Sequence, residues 1–138
     1  MKIRQITETD FDDLYQLWVE AGLQLYPSGD ERKRFDSMLN LNPDLCFALI
    51  NDKKEIIGSI LGGFDGRTAS IHRLVIHPTL QKQGQGSFLV NELETALRKR
   101  GIKKLSAQIH ISNTEVVPFY EKLGFQEMTY VKNYYKDL

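Results

Sequence analysis

The most constraining feature of the sequence lies at residues 74–87, Leu-Val-Ile-His-Pro-Thr-Leu-Gln-Lys-Gln-Gly-Gln-Gly-Ser. An apolar, strand-like run passes there through a polar turn straight into an amphipathic helical pattern. Gly84 and Gly86 remove the Cβ atoms that would hold a ligand away from the backbone. A helix starting at this point aims unpaired N–H groups, with the positive end of its dipole behind them, at an anion. That is a phosphate-cradling layout. A Gly-x-Gly turn alone also fits dinucleotide folds, kinases and ordinary turns, so the rest of the chain must decide.

Ahead of that stretch, residues 2–6 alternate polar with apolar and predict a strand, not a signal peptide. Thr9 or Asp10 offers an N-cap, and Phe11, Leu14, Trp18, Ala21 and Leu25 then mark one helix face, ended by Tyr26-Pro27-Ser28-Gly29. A second helix is expected from Asp30, with Phe35, Met38 and Leu39 turned inward, to Asn42-Pro43. Trp18 and Phe35 read as core residues. Residues 45–50 and 55–61 predict a hairpin, and residues 62–67 a second turn with Asp65-Gly66 at its tip. Cys46 reads as small apolar filler within a strand.

Residues 70–77 form the next predicted strand, stopped by Pro78. After the glycine turn, Phe88, Leu89, Leu93, Ala96 and Leu97 mark the buried face of a helix closed by Gly101. Residues 103–111 predict a strand, and Asn113 or Thr114 a helix start. Pro118 moves the regular part of that helix to about Val117, behind an irregular turn. Residues 125–138, rich in Tyr and Thr, read as a terminal hairpin. The predicted order is β-α-α-β-β-β-α-β-α-β-β, a mixed α+β fold with helices on both faces of one sheet.

The bulk properties fit one soluble domain spanning residues 1–138. Eighteen basic against eighteen acidic residues give a formal charge of zero, which leaves no overall footprint for nucleic acid. A single cysteine excludes an internal disulfide and gives no hint of a metal cluster, and no apolar run approaches membrane-span length. The expectation is a cytoplasmic protein with no nucleic-acid partner, no membrane partner and no metal; a homodimer is left open.

Two segments together carry a family resemblance. Gln81-Lys82-Gln83-Gly84-Gln85-Gly86 follows the strand ending Leu74-Val75-Ile76-His77, and about thirty residues on come Asn113 and Val117-Pro118-Phe119-Tyr120-Glu121-Lys122-Leu123-Gly124-Phe125. The pair, with matching element order over nearly the whole chain, resembles the GNAT superfamily of acetyl-CoA-dependent N-acetyltransferases, small bacterial or archaeal single-domain members above all. The resemblance implies a mostly antiparallel central sheet, acetyl-CoA as acetyl donor, and a small-molecule or peptide amine as acceptor. It assigns the CoA pyrophosphate to backbone N–H groups around Gln81, Lys82, Gln83, Gly84, Gln85, Gly86 and Ser87. The pantetheine arm falls to the strand at Leu74, Val75 and Ile76, chiefly the backbone of Leu74 and Ile76. Asn113 would touch the cofactor or cap a helix, and Tyr120 would be the general acid for the departing thiolate.

One departure matters. Members that acetylate ribosomal-protein N-termini carry a glutamate five residues ahead of the Asn, where this chain has Gln108, which cannot act as a base. His72, His110, Glu115 or a water relay remain as proton acceptors, with the two histidines on strands expected to flank the acyl gap. The acidic residues Asp30, Glu31 and Asp65 could attract a cationic amine but read first as solvated charge. The competing reading is a non-catalytic acyl-CoA-binding or sensing module. A nucleoside-triphosphate site fits poorly, because no Gly-Lys-Ser/Thr follows the turn.

Overall fold

A computed structural model describes residues 1–138. Its contacts gather into two compact units, Met1–Ala107 and Gln108–Leu138. In the first, β1 (Lys2–Gln5), β2 (Cys46–Ile50), β3 (Ile56–Phe64), β4 (Ala69–Ile76) and β5 (Leu105–Ala107) form one sheet in that order. The first four strands are antiparallel, and β5 joins β4 in parallel. The mixed, mostly antiparallel α+β sheet is the expected class.

Alternation along the strands sends side chains to two helical layers. Cys46, Ala48, Leu61 and Val75 share a core with Phe11, Leu14 and Trp18 of α1 (Phe11–Glu20) and Phe35 of α2 (Ser28–Leu41). The intervening residues of β2 and β3, Phe47, Leu49 and Ile60, are buried apart from that core. Their face meets α3 (Gln85–Lys99), whose Leu89, Val90, Leu93 and Leu97 are buried at helical spacing. No helix is long and apolar enough to cross a membrane.

The first helix begins where Thr7 and Asp10 form a capping box, with Arg4 clamping the Asp10 carboxylate at 2.8 and 2.9 Å. Burial alone would raise the Asp10 pKa. The Arg4 guanidinium and the Thr7 N–H outweigh it and hold the carboxyl below its ordinary range. α1 stops at Glu20, short of the expected Tyr26, because Gly22 turns left-handed at φ +78° and breaks the helical path. α2 starts at Ser28, two residues before Asp30, with Pro27 as its N-cap.

β3 is longer than its sequence suggested. Gly62, Gly63 and Phe64 extend the strand, pairing with Ile71, Ser70 and Ala69, and the turn shifts to the residues after them. There Asp65 is a turn residue, its carboxylate accepting from the N–H groups of Arg67 and Thr68 at 2.8 and 2.7 Å. Glycine at 62 answers to packing, not turning: an added Cβ would collide with Leu93 Cδ1 and lie 2.7 Å from the Leu45 carbonyl oxygen.

The expected strand at 103–111 contracts to Leu105–Ala107. The second unit holds a 3-10 segment, Ile111–Val116, and then α4 (Val117–Lys122) with Pro118 in its first turn, the arrangement Pro118 predicted. The terminal hairpin does not form. Residues 126–138 pair with no strand, and Tyr134 and Tyr135 are fully solvated, so β-prone side chains found no ladder to stabilise them.

Because the Leu45 obstacle is backbone, Gly62→Ala is expected to destabilise the protein by about 2 kcal/mol. Chemical denaturation should show a lower midpoint with an unchanged slope.

Candidate functional site

Two structural events shape β4. The first is a β-bulge. Leu61 pairs with His72 and Ser59 with Val75, so Ile60 alone faces the two residues Arg73 and Leu74. Arg73 takes the left-handed conformation, φ +51°. The extra residue reverses the alternation, and His72 and Arg73, though consecutive, both project to the α1/α2 face: His72 is paired with Leu61 of that face and Arg73 reaches Glu31 of α2.

The second event is an early end to pairing. β5 bonds β4 only at Ala69, Ser70 and Ile71, so from His72 onward that edge of β4 has no strand partner. His77 donates its N–H to Ile57 of the hairpin side at 2.8 Å. By alternation the backbone groups of Ile76 and Leu74 point to the open edge, and the Ile76 carbonyl accepts there from Gln81 Nε2 at 3.1 Å. Val75 is turned the other way: its side chain is buried in the core and it pairs with Ser59. Of the three strand residues expected to meet a cofactor, Leu74 and Ile76 offer their backbone and Val75 is spent on the fold.

The turn that follows is fixed at its start by His77. Thr79 N–H donates to Nδ1 at 3.3 Å, leaving Nε2 to donate to the Glu20 carboxylate at 2.9 Å. Gln16 and then His77 hold Glu20 below its ordinary pKa. Lys82 and Gly84 are both left-handed, φ +65° and +88°. α3 begins at Gln85 with no side-chain cap, and its first backbone bond runs from the Phe88 N–H to the Gly84 carbonyl. The N–H groups of Gln85, Gly86 and Ser87 thus head a four-turn helix, with no acidic residue in its first turn.

His72 bonds the Ser70 hydroxyl through Nε2 at 2.9 Å, near Met38 and Gly63 on the α2 face. Partial loss of water around the ring, and then the neighbouring Arg73 cation, push its pKa below the ordinary value.

In the second unit, His110 is a helix cap, its Nδ1 accepting from the Ser112 N–H at 3.1 Å. Asn113, expected as an N-cap or cofactor contact, lies inside the 3-10 segment with non-helical φ/ψ, so the cap belongs to His110. Tyr120 packs edge-on between Phe119 and Phe125, centroids 5.1 and 5.3 Å away, and burial raises its pKa. Gln108 and Glu115 are exposed. No group of three His, Cys, Asp or Glu side chains is placed to hold a metal ion.

Sequence reasoning missed Glu31 as a structural centre. It read as a surface charge, yet it is 3% exposed and bonded to Arg73. The available signal was a lone arginine inside an apolar strand, which needs a buried anion to accompany it.

An open strand edge running into a left-handed turn at the head of a helix suits an extended ligand that carries a phosphate. The acetyltransferase (GNAT) family model matches residues 11–125, and the chain belongs to that family. It is an acyltransferase. An acetyltransferase of Yersinia enterocolitica is 33% identical over 126 residues, covering 91% of this chain and 88% of that one. The ribosomal-protein-S18-alanine N-acetyltransferase of Escherichia coli superposes with a TM-score of 0.80 at 27% identity, covering 99% and 84% of the two chains. The PaiA N-acetyltransferase of Thermoplasma acidophilum, solved with coenzyme A, has the same fold, with a TM-score of 0.76, 21% identity and coverage of 91% and 89%.

Cys46 takes no part in this arrangement. It is fully buried, and burial pushes its thiol up to about 11. A disulfide reagent at pH 8 is expected to leave it unlabelled in the native protein and to label it fully in denaturant; fast native labelling would contradict the packing.

Proposed function

We propose that the chain transfers an acetyl group from acetyl-CoA to a primary amine, with both substrates bound together and the amine attacking directly. The observation that carries this reading is the unpaired edge of β4 leading into the Lys82–Gly84 left-handed turn and the uncapped start of α3. Backbone N–H groups from Lys82 to Ser87, framed by Gln81, Gln83 and Gln85, suit a pyrophosphate. The backbone of Leu74 and Ile76 suits the amides of a pantetheine arm, once the Gln81 side chain yields the Ile76 carbonyl.

Bound acetyl-CoA supplies an activated thioester carbonyl. The remaining requirements fall to the protein. The amine must arrive without its extra proton, because its lone pair forms the new C–N bond as the C–S bond breaks. His72, neutral near pH 7 because its pKa is lowered, can accept that proton directly or through water. His110 has Nδ1 committed to Ser112, so only its Nε2 is available for the same task. Tyr120 is assigned by the family resemblance to donate its phenolic proton to the departing sulfur. Its raised pKa keeps it protonated across the working range, as an acid must be. Asn113 is assigned to the cofactor by family resemblance.

The acceptor is the amine of a small molecule or a peptide. The E. coli neighbour is named for a ribosomal-protein alanine, and Gln108 separates this chain from the glutamate-bearing pattern of such enzymes. The same reading puts the reaction in the cytoplasm.

Thiol release from acetyl-CoA across polyamines, amino acids, aminoglycosides and peptides, beside calorimetry with CoA alone, tests the reading. Turnover on one amine class is expected; CoA binding without turnover on any would favour a sensing module. Tyr120→Phe is expected to lower turnover by about 100-fold and leave CoA affinity within about twofold. The rate should rise with pH through an ionisation below about 6.5, since only neutral imidazole accepts a proton. That step should vanish in His72→Ala; an unchanged profile would assign the proton to His110 or water.

A further inference from the structure

Glu31 has the least exposed carboxylate of the chain, at 3%, and a buried carboxylate survives only where its bonds replace water. Its Oε1 accepts from two directions. Arg73 Nη2 of the β4 bulge lies at 2.6 Å, and the Tyr26 backbone N–H, in the connection between α1 and α2, at 3.1 Å. One oxygen therefore holds both a linker without regular structure and the strand with the open edge.

Both ends of Arg73 are fixed. Its carbonyl accepts from Ser59 Oγ at 2.7 Å, and Ser59 Oγ in turn accepts from Trp18 Nε1 at 3.0 Å. Its guanidinium lies 5.6 Å from the Trp18 ring centroid and ends on Glu31. Arginine in a left-handed conformation is strained where glycine would be relaxed, and such strain persists only when the surroundings impose it. The linker is similarly pinned: Tyr26 carries Arg34 over its ring at 3.8 Å and gives its N–H to Glu31.

We infer that Glu31 and Arg73 are positioning residues that couple the α1–α2 connection to the β4 bulge and the Leu74–Ile76 edge. Moving the linker moves Oε1, and with it the arginine that sets the bulge. A displacement of residues 22–27 is thereby felt at the strand assigned to the donor arm. The catalytic part of this inference rests on the acetyl-transfer reading; the mechanical part does not.

Two measurements on the full chain test it, using Glu31→Gln and Arg73→Lys. Hydrogen exchange of wild type and Glu31→Gln is expected to show the hydrogen-bonded amides within 22–26 and 72–76 gaining exchange together, by at least tenfold. A gain confined to 22–26, with 72–76 as in wild type, would overturn the coupling. With an amine identified by the thiol-release panel, Glu31→Gln should raise the acetyl-CoA KM and lower kcat, each at least tenfold, and weaken CoA binding by calorimetry. Arg73→Lys, which keeps a cation for Glu31, should show a substantially smaller loss than Glu31→Gln. A purely stabilising role would lower the melting temperature and leave the KM-to-kcat pattern within twofold of wild type, which refutes the catalytic part. If wild type binds CoA and turns over no amine, the acetyl-transfer reading fails and the exchange result still decides the coupling.

Discussion

The register between β4 and its two neighbours sets the bulge, the open edge and the turn of the first unit. On one side β4 carries one residue more than β3, and the surplus is absorbed at Arg73. On the other side β5 contributes three residues and stops. A strand fully paired on both sides has no polar backbone to offer a ligand, and an unpaired edge is ordinarily a liability. Here the liability is local. It begins after Ile71 and is followed directly by the turn whose left-handed residues open onto α3. Bulge, free edge and helix start are thus consecutive consequences of one strand being out of step with its neighbours.

Much of this was legible because it depends on residues close in sequence. A polar turn with two glycines between an apolar strand and an amphipathic helix announces its own geometry, and Gly84 does adopt the left-handed conformation at the head of α3. The helix stops at Gly101 and Gly124 and the irregular entry before Pro118 followed from equally local chemistry. Failures arose where a residue answers to something distant. Gly62-Gly63 looked like a turn and is strand, since what excludes a side chain at 62 is Leu93 on another element. Residues 126–138 had strand composition and no partner, and composition cannot supply one.

The bulge was illegible for the same reason. No property of Arg73 alone predicts φ +51°; the conformation follows from Ser59 and Glu31, 14 and 42 residues away, holding its two ends. Glu31 likewise sits in a helix's first turn, where an acidic residue is favourable toward the dipole and usually solvated. Its burial becomes visible only when the arginine arrives from β4. The family resemblance could name the turn and Tyr120, because those are short motifs, and had nothing to say about a pair so far apart in sequence.

The charge distribution bears on how a phosphate would be held. The chain is formally neutral, and residues 81–87 carry one cation, Lys82. That residue is itself left-handed, a cost a glycine would avoid. Attraction for a pyrophosphate must therefore come mainly from oriented N–H groups and the α3 dipole, which act at contact distance and within the first turn. Side-chain clusters work otherwise, drawing anions from afar and losing strength with salt. A site built of backbone is defined by conformation more than by charge. It follows that the strain at Lys82 and the glycine at 84 belong together: an alternation of handedness, not either side chain, is the backbone pattern that lets successive N–H groups face one anion.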